Sequence, residues 1–319
     1  REAGAQVIVT SGNHDSAARL GFQAKLLREG IYVLTDPAQI GTPVTIDDVD
    51  GPVHVYGIPF LEPALIRHLW SDASGARLDI RTQHDAIDHA MTLVRADLAA
   101  RGGRSVAMAH CFAAGVEPTP HLERDIQQGG LDVVSLQAFE GVDYVALGHI
   151  HGRQQLAENI RYAGAPLHYS FGEGDKPRGS WLIELDAAGA VDAEWLDLPI
   201  PRRLVTLRGT LDELLTDSRF AADEDAWVCA QYTDTAMQVD PMRRLQARFP
   251  FCATVAHTPA VTAEADARSY TARVRAARND VDMVDAFLSH VRGGGAATPG
   301  ELEIIREVVD DLTAVKAVA

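Results

Sequence analysis

Val7-Ile8-Val9-Thr10-Ser11-Gly12-Asn13-His14-Asp15 and Tyr144-Val145-Ala146-Leu147-Gly148-His149-Ile150-His151 share one pattern: a short apolar run, a glycine, then histidine. A β-branched or apolar run of four or five residues that ends in turn residues reads as a buried strand. The glycine lets the backbone turn sharply at the strand end. Between the two stretches, Ser105–Ala109 runs straight into His110, and Val53–Gly57 reads as another strand. Helical spacing intervenes, first in Ala17-Ala18-Arg19-Leu20 and then in Ile87, Met91, Val94 and Leu98, which stop at Gly102-Gly103. Strands that alternate with helices predict an α/β layered sheet, whose ligands gather at the carboxyl ends of the strands.

The texture changes after Trp181–Leu185, and Leu198-Pro199-Ile200-Pro201-Arg202-Arg203 reads as a linker, so a boundary is expected near 198–203. Residues 1–198 then form the first domain. Over 204–262, Val205–Leu207, Leu211–Leu215, Trp227–Tyr232, Met242–Phe249 and Ala253–Ala256 alternate strand, helix, strand, helix, strand in a smaller α/β module. Residues 263–280 are polar and rich in Ala and Arg. Two helices close the chain over 281–319. Val281, Val284, Phe287 and Val291 mark the first, which stops at Gly293-Gly294-Gly295, and Leu302, Ile305, Val309, Leu312 and Val315 stripe the second. Thr298-Pro299-Gly300-Glu301 supplies the second helix with an N-cap, a Pro at its first position and a capping-box Glu. No internal repeat is present.

A chain of 319 residues suggests about two domains. Its 46% apolar and 23% charged residues are ordinary globular values that exclude wholesale disorder. No apolar run approaches the roughly 20 residues of a membrane-spanning helix, so no membrane association is expected. Cys111, Cys229 and Cys252 are odd in number and form no C-x-x-C pair, which argues against a disulfide framework or zinc ribbon and fits a reducing cytoplasm. Acidic side chains outnumber basic ones 45 to 29, so nucleic-acid work would need metal ions, local basic patches or a partner. The chain begins Arg1-Glu2-Ala3 and reaches its first strand within seven residues, which reads as a fragment lacking its natural start.

Residues two apart on extended backbone point to the same side, so His149 and His151 can face one cavity. Imidazole and amide oxygen are workable ligands for Mn²⁺, Fe²⁺ or Zn²⁺. Taken singly, an H-x-H, an Asn-His or a histidine ending a strand is weak evidence. In this order, each after a strand, Gly12-Asn13-His14-Asp15, Ala109-His110 and Gly148-His149-Ile150-His151 resemble the last three motifs of the calcineurin-like metallophosphoesterase superfamily. Its first two, Asp-x-His and Gly-Asp-x-x-Asp, are absent. Val55-Tyr56-Gly57-Ile58-Pro59-Phe60, Tyr162-Ala163-Gly164-Ala165-Pro166-Leu167-His168-Tyr169-Ser170-Phe171-Gly172-Glu173, Gly209–Leu215 and Arg243–Pro250 narrow the resemblance to the SbcD-type DNA exonuclease subunits over nearly the whole chain.

That resemblance implies an N-terminally truncated metallophosphoesterase sandwich, a capping domain and C-terminal helices that bind a partner. It implies a two-metal Mn²⁺ centre that hydrolyses double-stranded DNA ends and hairpins. It also implies association with an SbcC-like coiled-coil ATPase, as a heterotetramer with two nuclease subunits, in cytoplasmic DNA repair, recombination and replication. Asn13, His110 and His149 match ligands to one ion, His151 matches a ligand to the other, and His14 matches the catalytic histidine that does not bind metal. Asp15 either orients His14 or serves as a turn and N-cap residue. The fragment alone is expected to be inactive, with at most one weak metal site.

His54, His68, His84, His89, His257 and His290 lie outside the motifs and read as packing or surface residues. His168 is a candidate to face substrate. Cys111 reads as a small buried hydrophobe, and Arg202-Arg203 and Arg243-Arg244 read as phosphate contacts or ordinary ion pairs. The alternative function is a generic calcineurin-like phosphoesterase acting on a small phosphodiester or a phosphoprotein. A third is a non-catalytic binding scaffold.

Overall fold

The computed structural model describes residues 4–22, 24–71, 74–115, 133–259, 274–292 and 295–318. Arg1–Ala3, most of the polar 263–280 stretch and Gly293-Gly294 lie outside the described residues, as do the side chains of Leu312 and Val315. The chain divides into two compact units, Arg1–Pro201 and Arg202–Ala319. Both are mixed α/β, and none of the described helices is long and apolar enough to cross a membrane.

The first unit is built on a six-stranded sheet in the order β3-β4-β5-β8-β10-β9. These are Val44–Asp48, Gly51–Ile58, Arg104–His110, Tyr144–Gly148, Ile160–Tyr162 and Gln154–Ala157 respectively. β4, β5, β8 and β10 run parallel, and β3 and β9 close the two edges antiparallel. The central strands carry runs such as Val53–Ile58 and Ser105–Ala109 because a parallel strand covered on both faces cannot alternate cleanly between apolar and polar. After the short helices α1, Ala17–Gly21, and α2, Pro63–Ile66, helix α3, Gln83–Arg101, lays Ala86, Ile87, Ala90, Met91 and Val94 on the sheet, where they join Tyr56, Ile58, Phe139, Val145 and Tyr162 in one core. Thr82 and Asp85 cap its start reciprocally, and Gly102 ends it.

Three further strand pairs accompany this sheet, the shortest being β6, Phe112–Ala113, in parallel with β7, Val133–Val134. β1, Val7–Thr10, pairs in parallel with β2, Ile31–Leu34, and β11, Gly179–Leu185, forms an antiparallel hairpin with β12, Val191–Asp197. The sequence reading of Val7–Thr10 as a buried strand is corrected: Val7 and Val9 are 39% and 37% exposed. Among the described residues β1 has one strand neighbour, so one ladder edge and much of its apolar surface stay open.

In the second unit β13, Leu204–Gly209, β14, Trp227–Tyr232, and β15, Cys252–His257, form a parallel three-stranded sheet. Helices α4, Leu211–Thr216, and α5, Pro241–Gln246, connect them, and Leu207, Leu211, Leu214, Val228, Leu245 and Phe249 make the core. The predicted strand and helix order is therefore present, with α5 ending three residues earlier than the Met242–Phe249 reading. Arg203 pairs with Asp223, Arg202 with Asp225 and Arg243 with Asp240, so three of the four arginines read as phosphate or ion-pair residues already have carboxylate partners.

Helices Asp280–Val291 and Pro299–Val318 follow. Arg292 donates to both oxygens of Glu301 at 3.0 and 2.8 Å, and Glu301 also accepts from the Thr298 N–H and hydroxyl. These bonds, the Arg292 guanidinium foremost, hold the Glu301 carboxyl down at about 2 against an ordinary 4.5. A depressed carboxylate stabilises the fold fully above its unfolded value and loses that contribution as pH falls through its folded value. In a ¹³C NMR titration Glu301 should therefore remain ionised through pH 4.5 and titrate near 2, and Arg292→Ala should move the midpoint back toward 4.5.

Candidate metal centre

Parallel register brings the histidines together. His110, the last residue of β5, lies opposite Gly148, the last residue of β8, so His110 and His149 leave the same edge of the sheet. On the other side of β5, Ile58 lies opposite Ala109, which puts Phe60 just past that edge. The Phe60 N–H donates to the Ser11 carbonyl at 2.9 Å and draws the Gly12-Asn13-His14-Asp15 loop onto the same edge. Asn13 Oδ1 then accepts from His110 Nε2 at 3.0 Å. The His110 and His149 rings stand 5.3 Å apart, nearly perpendicular, with Phe60 edge-on to His110 and Phe112 edge-on to His149.

Two glycines make room for this imidazole. A Cβ on Gly12 would fall 2.7 Å from His110 Cε1, and one on Gly148 would fall 3.0 Å from His110 Nδ1. Real Cβ atoms essentially never approach as closely as 2.7 Å, so a side chain at Gly12 would force the His110 ring to move, and one at Gly148 would press on it by a few tenths of an ångström. Neither glycine has a positive φ, so it is the ring and not the turn that they accommodate. His149 has φ of 115°, a backbone region that side-chain-bearing residues rarely occupy. Such strain costs about 1–3 kcal/mol and persists where surrounding structure over-determines it, commonly at functional sites.

The electrostatics suit metal ligation. Burial, reinforced by His149, His14 and His151 and opposed by Asp15, pushes the His110 imidazole down to about 4. His110 is therefore neutral at physiological pH and keeps a lone pair for coordination. Burial lifts the neighbouring Cys111 thiol to about 12, which leaves it inert.

His151 is placed differently. Its Nδ1 lies 2.9 Å from Glu173 Oε1, and Glu173 is fully buried against Arg178. Neither Glu173 nor Arg178 was assigned a role from sequence, because nothing in Ser170-Phe171-Gly172-Glu173 distinguishes a buried carboxylate from an exposed one. His168, a candidate to face substrate, contacts the Lys176 carbonyl through Nε2 at 2.9 Å. The exposed aromatic beside the site is Tyr169, whose ring lies 5.8 Å from that of His151.

Asn13, His14 and Asp15 are exposed on the loop. The Asp15 carboxylate accepts from the Gly12 N–H at 2.7 Å and closes the loop on itself, while Ser16 caps helix α1, Ala17–Gly21. The other histidines have packing partners: His54 bonds Thr45, His68 bonds Arg77, His84 accepts from the Ser135 N–H, His89 packs on Trp70 and His257 stacks on Tyr232.

Among the described residues no three His, Cys, Asp or Glu side chains form a cage that could hold an ion by themselves. What is present fits part of a divalent-metal site. The 3.0 Å between Asn13 Oδ1 and His110 Nε2 equals the spacing of adjacent ligands on an octahedral ion with bonds of about 2.1 Å. The neutral imidazole and amide oxygen are donors that such an ion accepts.

Residues 200–291 match a family model, SbcD_C, described as the Type 5 capsule protein repressor C-terminal domain. The C-terminal region of the chain is thus SbcD-related. The match covers β13 to β15 and the Asp280–Val291 helix and does not extend to the histidine cluster.

If the backbone at His149 is strained as its φ indicates, the ordinary order of alanine and glycine should invert there. His149→Gly should be more stable than His149→Ala by about 1 kcal/mol or more in urea unfolding, whereas at an unstrained site alanine is favoured by a similar amount.

Proposed function

We propose that the chain belongs to an SbcD-like nuclease that hydrolyses phosphodiester bonds at double-stranded DNA ends and hairpins, in DNA repair and recombination. The convergence of Asn13, His110 and His149 at one sheet edge, with His110 neutral, is the observation that carries this reading. In it, Asn13, His110 and His149 hold one ion and His151 contributes to a second, with Mn²⁺ as the metal. The SbcD-related C-terminal region supports a DNA-processing role over a small-molecule phosphoesterase. On this reading the first unit is a metallophosphoesterase sandwich, 204–262 is a capping domain, and 281–319 docks an SbcC-like coiled-coil ATPase in a heterotetramer with two nuclease subunits. The compartment is the cytoplasm.

Divalent ions held by Asn13, His110, His149 and His151 would neutralise the phosphodiester's charge and lower the pKa of water at the site. The chain's own residues do the rest. Asn13 Oδ1 and His110 Nε2 are held 3.0 Å apart by their hydrogen bond; to coordinate through Nε2, His110 gives up that bond and carries its hydrogen on Nδ1. His14, exposed on the loop next to Asn13, contacts the scissile phosphate. As water oxygen bonds to phosphorus and the bond to the 3′-oxygen breaks, His14 stabilises the transition state or gives that leaving oxygen a proton, which the proton shed by the attacking water replaces. Asp15 acts through the loop, whose shape its bond to the Gly12 N–H maintains. Phe60 and Phe112 pack edge-to-face against the two rings and fix their orientation.

The assignment separates His14 from the ligands. By isothermal titration calorimetry with Mn²⁺, His110→Ala should lose bound metal and His14→Gln should retain it. In the nuclease that carries this chain, His14→Gln should abolish cleavage of linear duplex DNA. Loss of metal in His14→Gln would make His14 a ligand, and turnover of a small phosphodiester with none of duplex DNA would support the generic phosphoesterase instead.

A further inference from the structure

We infer that Glu173, backed by Arg178, is a positioning residue that locks His151 in the single tautomer able to coordinate a metal ion. This rests on the reading of His151 as a ligand and adds to it two residues to which no motif assigned a role.

The carboxylate and its partner are buried, with side chains 0% and 1% exposed, while the His151 side chain is 31% exposed. A buried charge pair is costly to desolvate, and this one makes several further bonds that converge on His151 and the loop beside it. Glu173 Oε1 meets His151 Nδ1 at 2.9 Å. Glu173 Oε2 accepts from Arg178 Nη2 and from the Tyr169 N–H at 3.1 Å. Arg178 Nη1 in turn donates to the His151 carbonyl. The pair therefore grips both the ring and the backbone of one residue.

A carboxylate only accepts hydrogen bonds, so the hydrogen of a neutral His151 must reside on Nδ1. Nε2 then carries the lone pair, on a ring that is nearly one-third open to solvent. Fixing a ligand's tautomer through its other nitrogen is the usual work of a carboxylate behind a metal-binding histidine. A staple whose purpose was only to hold the 163–178 loop would need no bond to that nitrogen. The same carboxylate anchors the backbone of Tyr169, whose exposed ring lies tilted against His151.

The contacts dictate what an amide would do at this position. In Glu173→Gln the oxygen must stay on the Oε2 side, where both Arg178 and the Tyr169 N–H require an acceptor. The amide NH₂ then faces His151 Nδ1, which becomes an acceptor, and the hydrogen moves to Nε2.

Long-range ¹H–¹⁵N NMR of the metal-free chain, at a pH where imidazole is neutral, reads the tautomer directly. The expected result is Nδ1–H for His151 in the wild type and Nε2–H in Glu173→Gln, and, in the nuclease that carries this chain, Mn²⁺ affinity at this position lowered about 10–100-fold in the variant. Nε2–H in the wild type overturns the inference without recourse to any variant, and so does retention of Nδ1–H in Glu173→Gln. In the nuclease that carries this chain, a His151→Ala variant that binds Mn²⁺ as the wild type does overturns the reading of His151 as a ligand, and leaves the tautomer result to decide the role of Glu173.

Discussion

The His110 imidazole is the constraint from which the site follows. It ends a buried parallel strand, fits between Gly12 and Gly148, and donates to Asn13. Each neighbour comes from a different part of the chain: the loop after β1, the end of β8, and β4 through Phe60. Parallel register fixes their heights, since shifting β5 by one residue against β8 would turn His110 to the other face of the sheet. The glycines fix their closeness.

Two local costs accompany this arrangement. His149 adopts a backbone conformation that disfavours any side chain with a Cβ, and Glu173 with Arg178 buries a charge pair beneath His151. Neither feature is what stability alone would select, because a glycine at 149 and apolar residues of similar volume at 173 and 178 would serve the fold with less penalty. One cost falls on the first histidine of the Gly-His-Ile-His stretch and the other on the pair that holds its second.

The strands that carry chemistry were legible because each joins a short β-branched run to a glycine or a histidine, a pattern that survives without tertiary information. The helix over 83–101 and the α/β alternation after 204 were legible for similar reasons, through periodic apolar positions and capping residues. Burial was not. Val7–Thr10 has the composition of a core strand, yet it is half-open because a strand's burial depends on its neighbours. Glu173 has the composition of a surface residue, yet it is buried because Arg178, five residues on, closes over it. The metal ligands were proposed from motif order, and the geometry adds the closeness of Asn13 to His110, which no spacing along the chain reveals. The SbcD relationship of residues 200–291 is independent of all these residues, so it bears on the kind of work the protein does and leaves the site to its own chemistry.

A substoichiometric Mn²⁺ titration followed by NMR tests the central claim most directly, since the ion broadens the signals of its own ligands first. If one ion is held at the sheet edge, the Asn13 side-chain amide and the His110 and His149 ring signals should vanish at the lowest metal ratios, ahead of the acidic turn at Asp47–Asp50. Early loss at Asp47–Asp50 with intact His110 and Asn13 signals would contradict the account.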